Sequence, residues 1–126
     1  MKTKMIARTL LGLAFTIFSL NFFFHFLPNP PSTEAMGKVT GAMYQTGYWF
    51  QFIKTVELVS GLLLLANLFV PLVLVVLAPI TINIILMHGF LDPAGIGPAA
   101  VILVLHVYLG IAYINYYKPM LVAKAQ

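Results

Sequence analysis

Residues 48–61 read YWFQFIKTVELVSG, and they carry the residue pair best suited to chemistry in the chain, Lys54 and Glu57. Three positions apart on a helix, they lie about 60° around its axis, so ammonium and carboxylate are within reach of each other. Their surroundings are apolar, which makes them costly to bury and gives them few roles: holding a polar ligand, carrying a proton, or tying helices together. His106, in LHVYLG, has no water at that position to satisfy its ring nitrogens and needs a partner, for which Glu57 is the expected one. Asn21, His25, Asn83 and His88 are the further polar candidates in or beside apolar stretches. The three histidines lack HExxH or any paired-ligand spacing, so no metal or haem site is expected. Cysteine is absent, which removes thiol chemistry, and no Gly-rich phosphate loop or serine triad stands in for it. The residues assign no catalytic role of their own.

The elements that must position these side chains follow from composition. The chain has 126 residues, is 61% hydrophobic and only 8% charged, and has a mean hydropathy of +0.98. Soluble domains carry roughly 25% charged residues, so this one has too few to clothe a water-facing surface. It reads as one integral membrane domain. The net charge of +4 comes from seven basic residues scattered along the chain, which form no patch for nucleic acid.

Four apolar stretches are long enough to cross a hydrocarbon core about 30 Å thick: Ile6 to Leu27, Tyr48 to Leu68, Val70 to Gly89 and Pro98 to Tyr117. The expected fold is therefore an all-α, membrane-embedded four-helix bundle. NLFVP leaves room only for a tight antiparallel turn between the second and third spans, and residues 28–47 read as one long outer loop holding the PNPP turn. Lys2, Lys4 and Arg8 flank the first span and Lys118 and Lys124 follow the last, which by the positive-inside rule puts both termini in the cytoplasm. The basic start could open a secretory signal peptide, but no small-residue cleavage site closes the apolar run, so it is read as the first span. Arg8 is expected to snorkel to headgroups, and Pro79 to kink the third helix by removing the bond to the carbonyl of Val75.

Counted from the outer ends at about 1.5 Å per residue, Asn21, Lys54 and Asn83 lie about 9 Å deep, His106 about 12 Å and Glu57 about 13 Å. The expectation is one polar layer fed by all four helices, with His25 and His88 nearer the mouth. Gly61, one turn below Glu57, would let a neighbouring backbone approach.

LNFFFHFLP at the exit of the first helix, KTVEL at the start of the second with Gly61 following, and APITINIILMH in the third resemble the DoxX family of small four-span bacterial membrane proteins, in its Bacteroidetes-type branch. The resemblance covers nearly the whole chain. It implies a bacterial cytoplasmic membrane and carries Asn21, His25, Lys54, Glu57, Gly61, Pro79, Asn83 and His88 over as motif positions. Phe22 departs from the branch, whose members tend to have a lysine there. The family is named from a subunit associated with a thiosulfate:quinone oxidoreductase or terminal quinol oxidase, so the resemblance implies a redox association, with a quinone as the cofactor to test and an oxidoreductase as partner.

Three readings stay open at this point. The first is a quinone- or redox-associated accessory subunit with protons handled by Glu57 and His106. The second is a small-solute or proton permease working as a homo-oligomer, and the third an assembly protein whose polar residues only lock helices.

Overall fold

The computed structural model describes residues 2–28 and 32–125; most of the PNPP turn lies outside them. The described residues are helical, with no strand: α1 (Lys2–Phe24), α2 (Glu34–Gln45), α3 (Trp49–Ala66), α4 (Val70–Phe90), α5 (Ile96–Ala112) and α6 (Ile114–Tyr117), with 3₁₀ turns at Pro93–Gly95 and Lys118–Met120. Four segments, Lys2–Phe24, Trp49–Ala66, Val70–Phe90 and Pro93–Ala112, are long and apolar enough to cross a membrane. They form the expected all-α four-helix bundle.

Two local differences have sequence causes. The long loop contains α2, which Thr33 starts by accepting a bond from the Met36 amide at 3.2 Å, with Glu34 in the first turn and Met36 and Met43 buried on one face. Thr33 also donates to the Leu91 carbonyl, which ties the start of α2 to the α4–α5 connection. The last span, expected to be unbroken to Tyr117, stops at Ala112, and Tyr113 begins the separate turn α6.

The α3–α4 turn is as tight as NLFVP implies. Asn67 closes α3 at φ 58°, a left-handed conformation that asparagine tolerates, the Leu68 amide bonds back to Leu63 at 2.9 Å, and Pro71 sits in the first turn of α4. Sequence neighbours are nevertheless not the best-packed pair. α1 packs most extensively on α3 and α4 on α5, α1 also meets α5, and α3 against α4 is the sparsest side of the square. Glu57 on α3 and His106 on α5 therefore sit across a diagonal.

The dry core fills the half of the bundle nearest the termini. Leu11, Leu64, Leu77 and Leu109 are fully enclosed there with Val73 beside them, and Phe15 and Ile102 extend the core past the middle of the bundle. Arg8 reaches inward rather than to headgroups, donating to the carbonyls of Leu64 and Leu65 at the C-terminus of α3. Carbonyls in the last turn of a helix lack the regular i+4 donor, that of Leu64 receiving only the capping Asn67 amide at 3.2 Å, and a cation there also complements the helix dipole, which is why the guanidinium prefers them.

Candidate functional site

Glycine sets the α1–α3 interface. A Cβ on Gly61 would sit 2.5 Å from Thr16 Oγ1, 2.8 Å from the Thr16 amide nitrogen and 3.0 Å from the Gly12 carbonyl oxygen. The two backbones touch at this point, as small residues allow in membrane helices. The antiparallel register, fixed by Arg8 at Leu64 and Leu65, Gly12 at Gly61, and Phe22 against Phe50 (ring centroids 4.9 Å apart), brings Ser19 level with the turn that holds Lys54 and Glu57.

Glu57 is 4% exposed and pairs with Lys54 at 3.6 Å, while the Lys54 side chain keeps 19% of its surface. Lys54 also lies 5.4 Å from the Phe50 ring centroid. Phe22, where the resemblance would put a cation, packs against Phe50, Phe23 and Tyr44 instead. The ammonium thus has an aromatic face on one side and a carboxylate on the other.

Across from the pair, the α1 hydroxyls are unspent. Serine and threonine in helices commonly bond to the carbonyl four residues back. Thr40 and Thr55 do so, to Met36 and Gln51 at 3.0 and 2.8 Å. Thr16 and Ser19 do not: both are buried, and neither hydroxyl oxygen has a partner. Gln51 Oε1, one turn before Lys54, is also buried without one. Each unmade bond costs about 1–3 kcal/mol, and the helix register puts all three groups within about one turn of the ion pair's level, which makes this the candidate site for a proton, a water or a polar ligand.

The other polar residues are placed elsewhere. His106 finds its partners on α4, not in Glu57: Nε2 lies 2.9 Å from the Leu74 carbonyl and Nδ1 2.8 Å from Thr81 Oγ1. A carbonyl can only accept, so Nε2 carries the proton and Nδ1 accepts from Thr81, which satisfies the neutral ring completely. The carbonyl used is one residue before that of Val75, the one Pro79 leaves without a donor. Asn83 is exposed on α4, its amide against Met87 Sδ at 3.3 Å. Asn21 caps the end of α1, accepting from the Leu27 amide at 2.7 Å, while His25 is exposed with φ 54°. His88 lies against the Asp92 carbonyl at 3.4 Å and over Gly95. The layer expected from depth counting therefore resolves into an α1–α3 site around Lys54 and Glu57 and a separate α4–α5 lock around His106. Depth along an axis carries no information on which way a residue faces, and Asn83 and Asn21 show the consequence.

No family model, curated protein or solved structure matches the chain.

Among the described residues no three His, Asp or Glu gather as a metal site would need. What the α1–α3 arrangement can do is hold a proton or a polar group beside a paired carboxylate. Next to it a groove of about 420 Å³ opens on the sparse α3–α4 side, lined by Phe52, Val56, Val59, Leu63 and Leu72 with Ser60 in its wall. Ser60 is itself buried and follows Glu57 by three positions, so it stands between groove and ion pair. Thr16, Ser19, Gln51, Ser60 and Thr81 were not singled out from sequence. The signal for two of them was there: Thr16 and Ser19 follow Gly12 at helical spacing, a stripe of small residues.

Proposed function

We propose that the chain is a DoxX-like accessory protein of a bacterial cytoplasmic membrane, with both termini cytoplasmic, which serves a redox system by handling a proton beside a quinone held from the lipid side. The observation that carries this reading is the buried Lys54–Glu57 pair, faced by the unpartnered hydroxyls of Thr16 and Ser19 and separated by Ser60 from an apolar groove. The groove's lining suits an isoprenoid tail. Its polar content is small: the Thr55 hydroxyl is spent on Gln51, which leaves Ser60 to meet a headgroup oxygen. A bound quinone would supply the electron-accepting couple. The chain's own part is limited to orienting the headgroup with Ser60, excluding water through the apolar groove walls, and taking up and releasing a proton at Glu57, whose deprotonated carboxylate Lys54 balances. His106 has no place in that step, because its ring is committed on the opposite side of the bundle.

The test is to extract the protein in native-lipid nanodiscs and quantify quinone per chain. Quinone above the level of the surrounding membrane, reduced by Ser60→Leu or Phe52→Ala and with quinol turnover lowered in a Glu57→Gln strain, is the expected result. Background quinone together with unchanged turnover in a deletion strain would refute the reading.

The assembly-protein reading has an observation of its own. His106, Thr81, Arg8 and Asn21 all make bonds that only tie helices or cap them. On that reading Glu57→Gln lowers stability and leaves redox function intact, which the same strain decides. A permease would need a polar path through the terminal half, where Leu11, Leu64, Leu77 and Leu109 close the interior, and nothing favours it in one bundle.

A further inference from the structure

Five of the seven basic residues, Lys2, Lys4, Arg8, Lys118 and Lys124, belong to the end of the bundle that carries the termini, while Glu34, Glu57 and Asp92 all belong to the other half. Two of the five are engaged: Arg8 with the α3 carbonyls and Lys4 over the Tyr113 ring at 4.5 Å. Lys118 and Lys124 are exposed, and between them Met120, Leu121 and Val122 are exposed as well. A short segment that presents apolar and cationic side chains together suits the headgroup boundary of a bilayer. A second observation lies next to it. A groove of about 260 Å³ runs between α4 and α5, lined by Leu74, Val75, Ala78, Val107, Gly110, the hydrogen-bonded His106 and, at its terminal end, Tyr117, the residue before Lys118. Nothing lies within 4 Å of where a Cβ on Gly110 would be, so the glycine leaves the groove open. Its volume is below the roughly 300 to 1,000 Å³ of ordinary ligand pockets, which fits a strip of hydrocarbon better than a whole molecule.

We infer that this is a site for one anionic phospholipid, with an acyl chain along the α4–α5 groove past Gly110 and the headgroup phosphate on Lys118 and Lys124. The site is separate from the Lys54–Glu57 cluster and stands or falls independently of the function proposed for it. Charge selects the ligand: an end with five cationic side chains and no Asp or Glu attracts an anionic headgroup and has no preference for a zwitterionic one. The Tyr117 hydroxyl, which donates to the Pro71 carbonyl at 2.7 Å, fixes the terminal end of the groove to α4.

The experiment measures phospholipid binding to the detergent-purified protein by native mass spectrometry, with phosphatidylglycerol, phosphatidylcholine and free glycerol phosphate as probes. Phosphatidylglycerol should bind more tightly than phosphatidylcholine, and glycerol phosphate should not displace it. Lys118→Ser with Lys124→Ser should weaken phosphatidylglycerol by roughly five-fold per lysine and leave phosphatidylcholine unchanged. Gly110→Leu should weaken both lipids, and Lys38→Ser, at the other end, neither. Equal binding of the two lipids, or indifference to the double lysine change, overturns the site. Displacement by glycerol phosphate alone overturns the acyl-chain half of it. Should Gly110→Leu fail to fold, the exposed lysine pair still decides the outcome, since its substitution touches no packed residue.

Discussion

Gly61→Ala adds one methyl group at the tightest point of the bundle, and the structure states what that methyl meets. The three contacts of 2.5, 2.8 and 3.0 Å are to Thr16 Oγ1, the Thr16 amide nitrogen and the Gly12 carbonyl. Two of the three are backbone atoms, so no rotamer change on α1 relieves them and the helices must move apart. Overpacking of this kind costs typically 1–3 kcal/mol. Alanine returns up to about 1 kcal/mol through its better helix propensity, which leaves a net loss of about 0–2 kcal/mol, toward the upper end because backbone atoms are among the contacts. The loss falls on α1–α3, the most extensive helix pair in the molecule.

Gly110→Ala supplies the comparison, because the same methyl there meets nothing within 4 Å. Thermal unfolding in a mild detergent, followed by the single tryptophan, Trp49 at the start of α3, should show Gly61→Ala melting several degrees below the parent and Gly110→Ala at or slightly above it. A Thr16→Ala partner change should restore only part of the loss, since it removes the hydroxyl and leaves the amide nitrogen and the Gly12 carbonyl in place. Equal melting of the two glycine variants, or full rescue by Thr16→Ala, would refute backbone contact as the reason for glycine at 61.

Glu57→Gln leaves the Lys54 ammonium without its carboxylate. Breaking a buried pair costs up to about 3–5 kcal/mol, and the partial exposure of Lys54 should keep the measured loss near the lower end or under it. A Lys54→Met change in the Glu57→Gln background should cost less than in the parent, as read by a double-mutant cycle of melting temperatures; additivity would show that the two do not interact. His106→Phe removes two bonds between α5 and α4 and should destabilise more than Thr81→Val, which removes one, with each unmade bond worth about 1–3 kcal/mol. Arg8→Lys should recover only part of the stability lost in Arg8→Met, since one ammonium replaces a fork that reaches two carbonyls; equal melting of Lys and Met variants counts against the cap.

The class, the number of spans and the tight α3–α4 turn were legible because each rests on an additive property of a segment: apolar length, charge count, and the Asn67 and Pro71 pair at the turn. The Lys54–Glu57 pair was legible for a related reason, being set by spacing within one helix. What the sequence left open is rotation. Asn83 and Thr81 are two residues apart on α4, and only one faces α5, so a rule that asks how deep a polar residue lies selects the exposed asparagine and passes over the buried threonine. α2 was missed for its low hydropathy and two glycines, although Thr33, Glu34 and the Met36–Met43 spacing carry the signal of a short helix with one covered face.

The unequal sides of the square give that rotation its functional sense. Chain connectivity makes α3 and α4 neighbours, yet the glycine contact binds α3 to α1 and the His106 bonds bind α4 to α5. The bundle is therefore two well-packed pairs meeting along a weaker seam. The α3–α4 groove is the open part of that seam, and it lies next to Ser60 and the ion pair. A lipid-soluble ligand entering there displaces only bilayer hydrocarbon, with no helix pair to separate. On the function proposed above this seam is the entry route, with the buried Ser60 as the side chain between groove and ion pair.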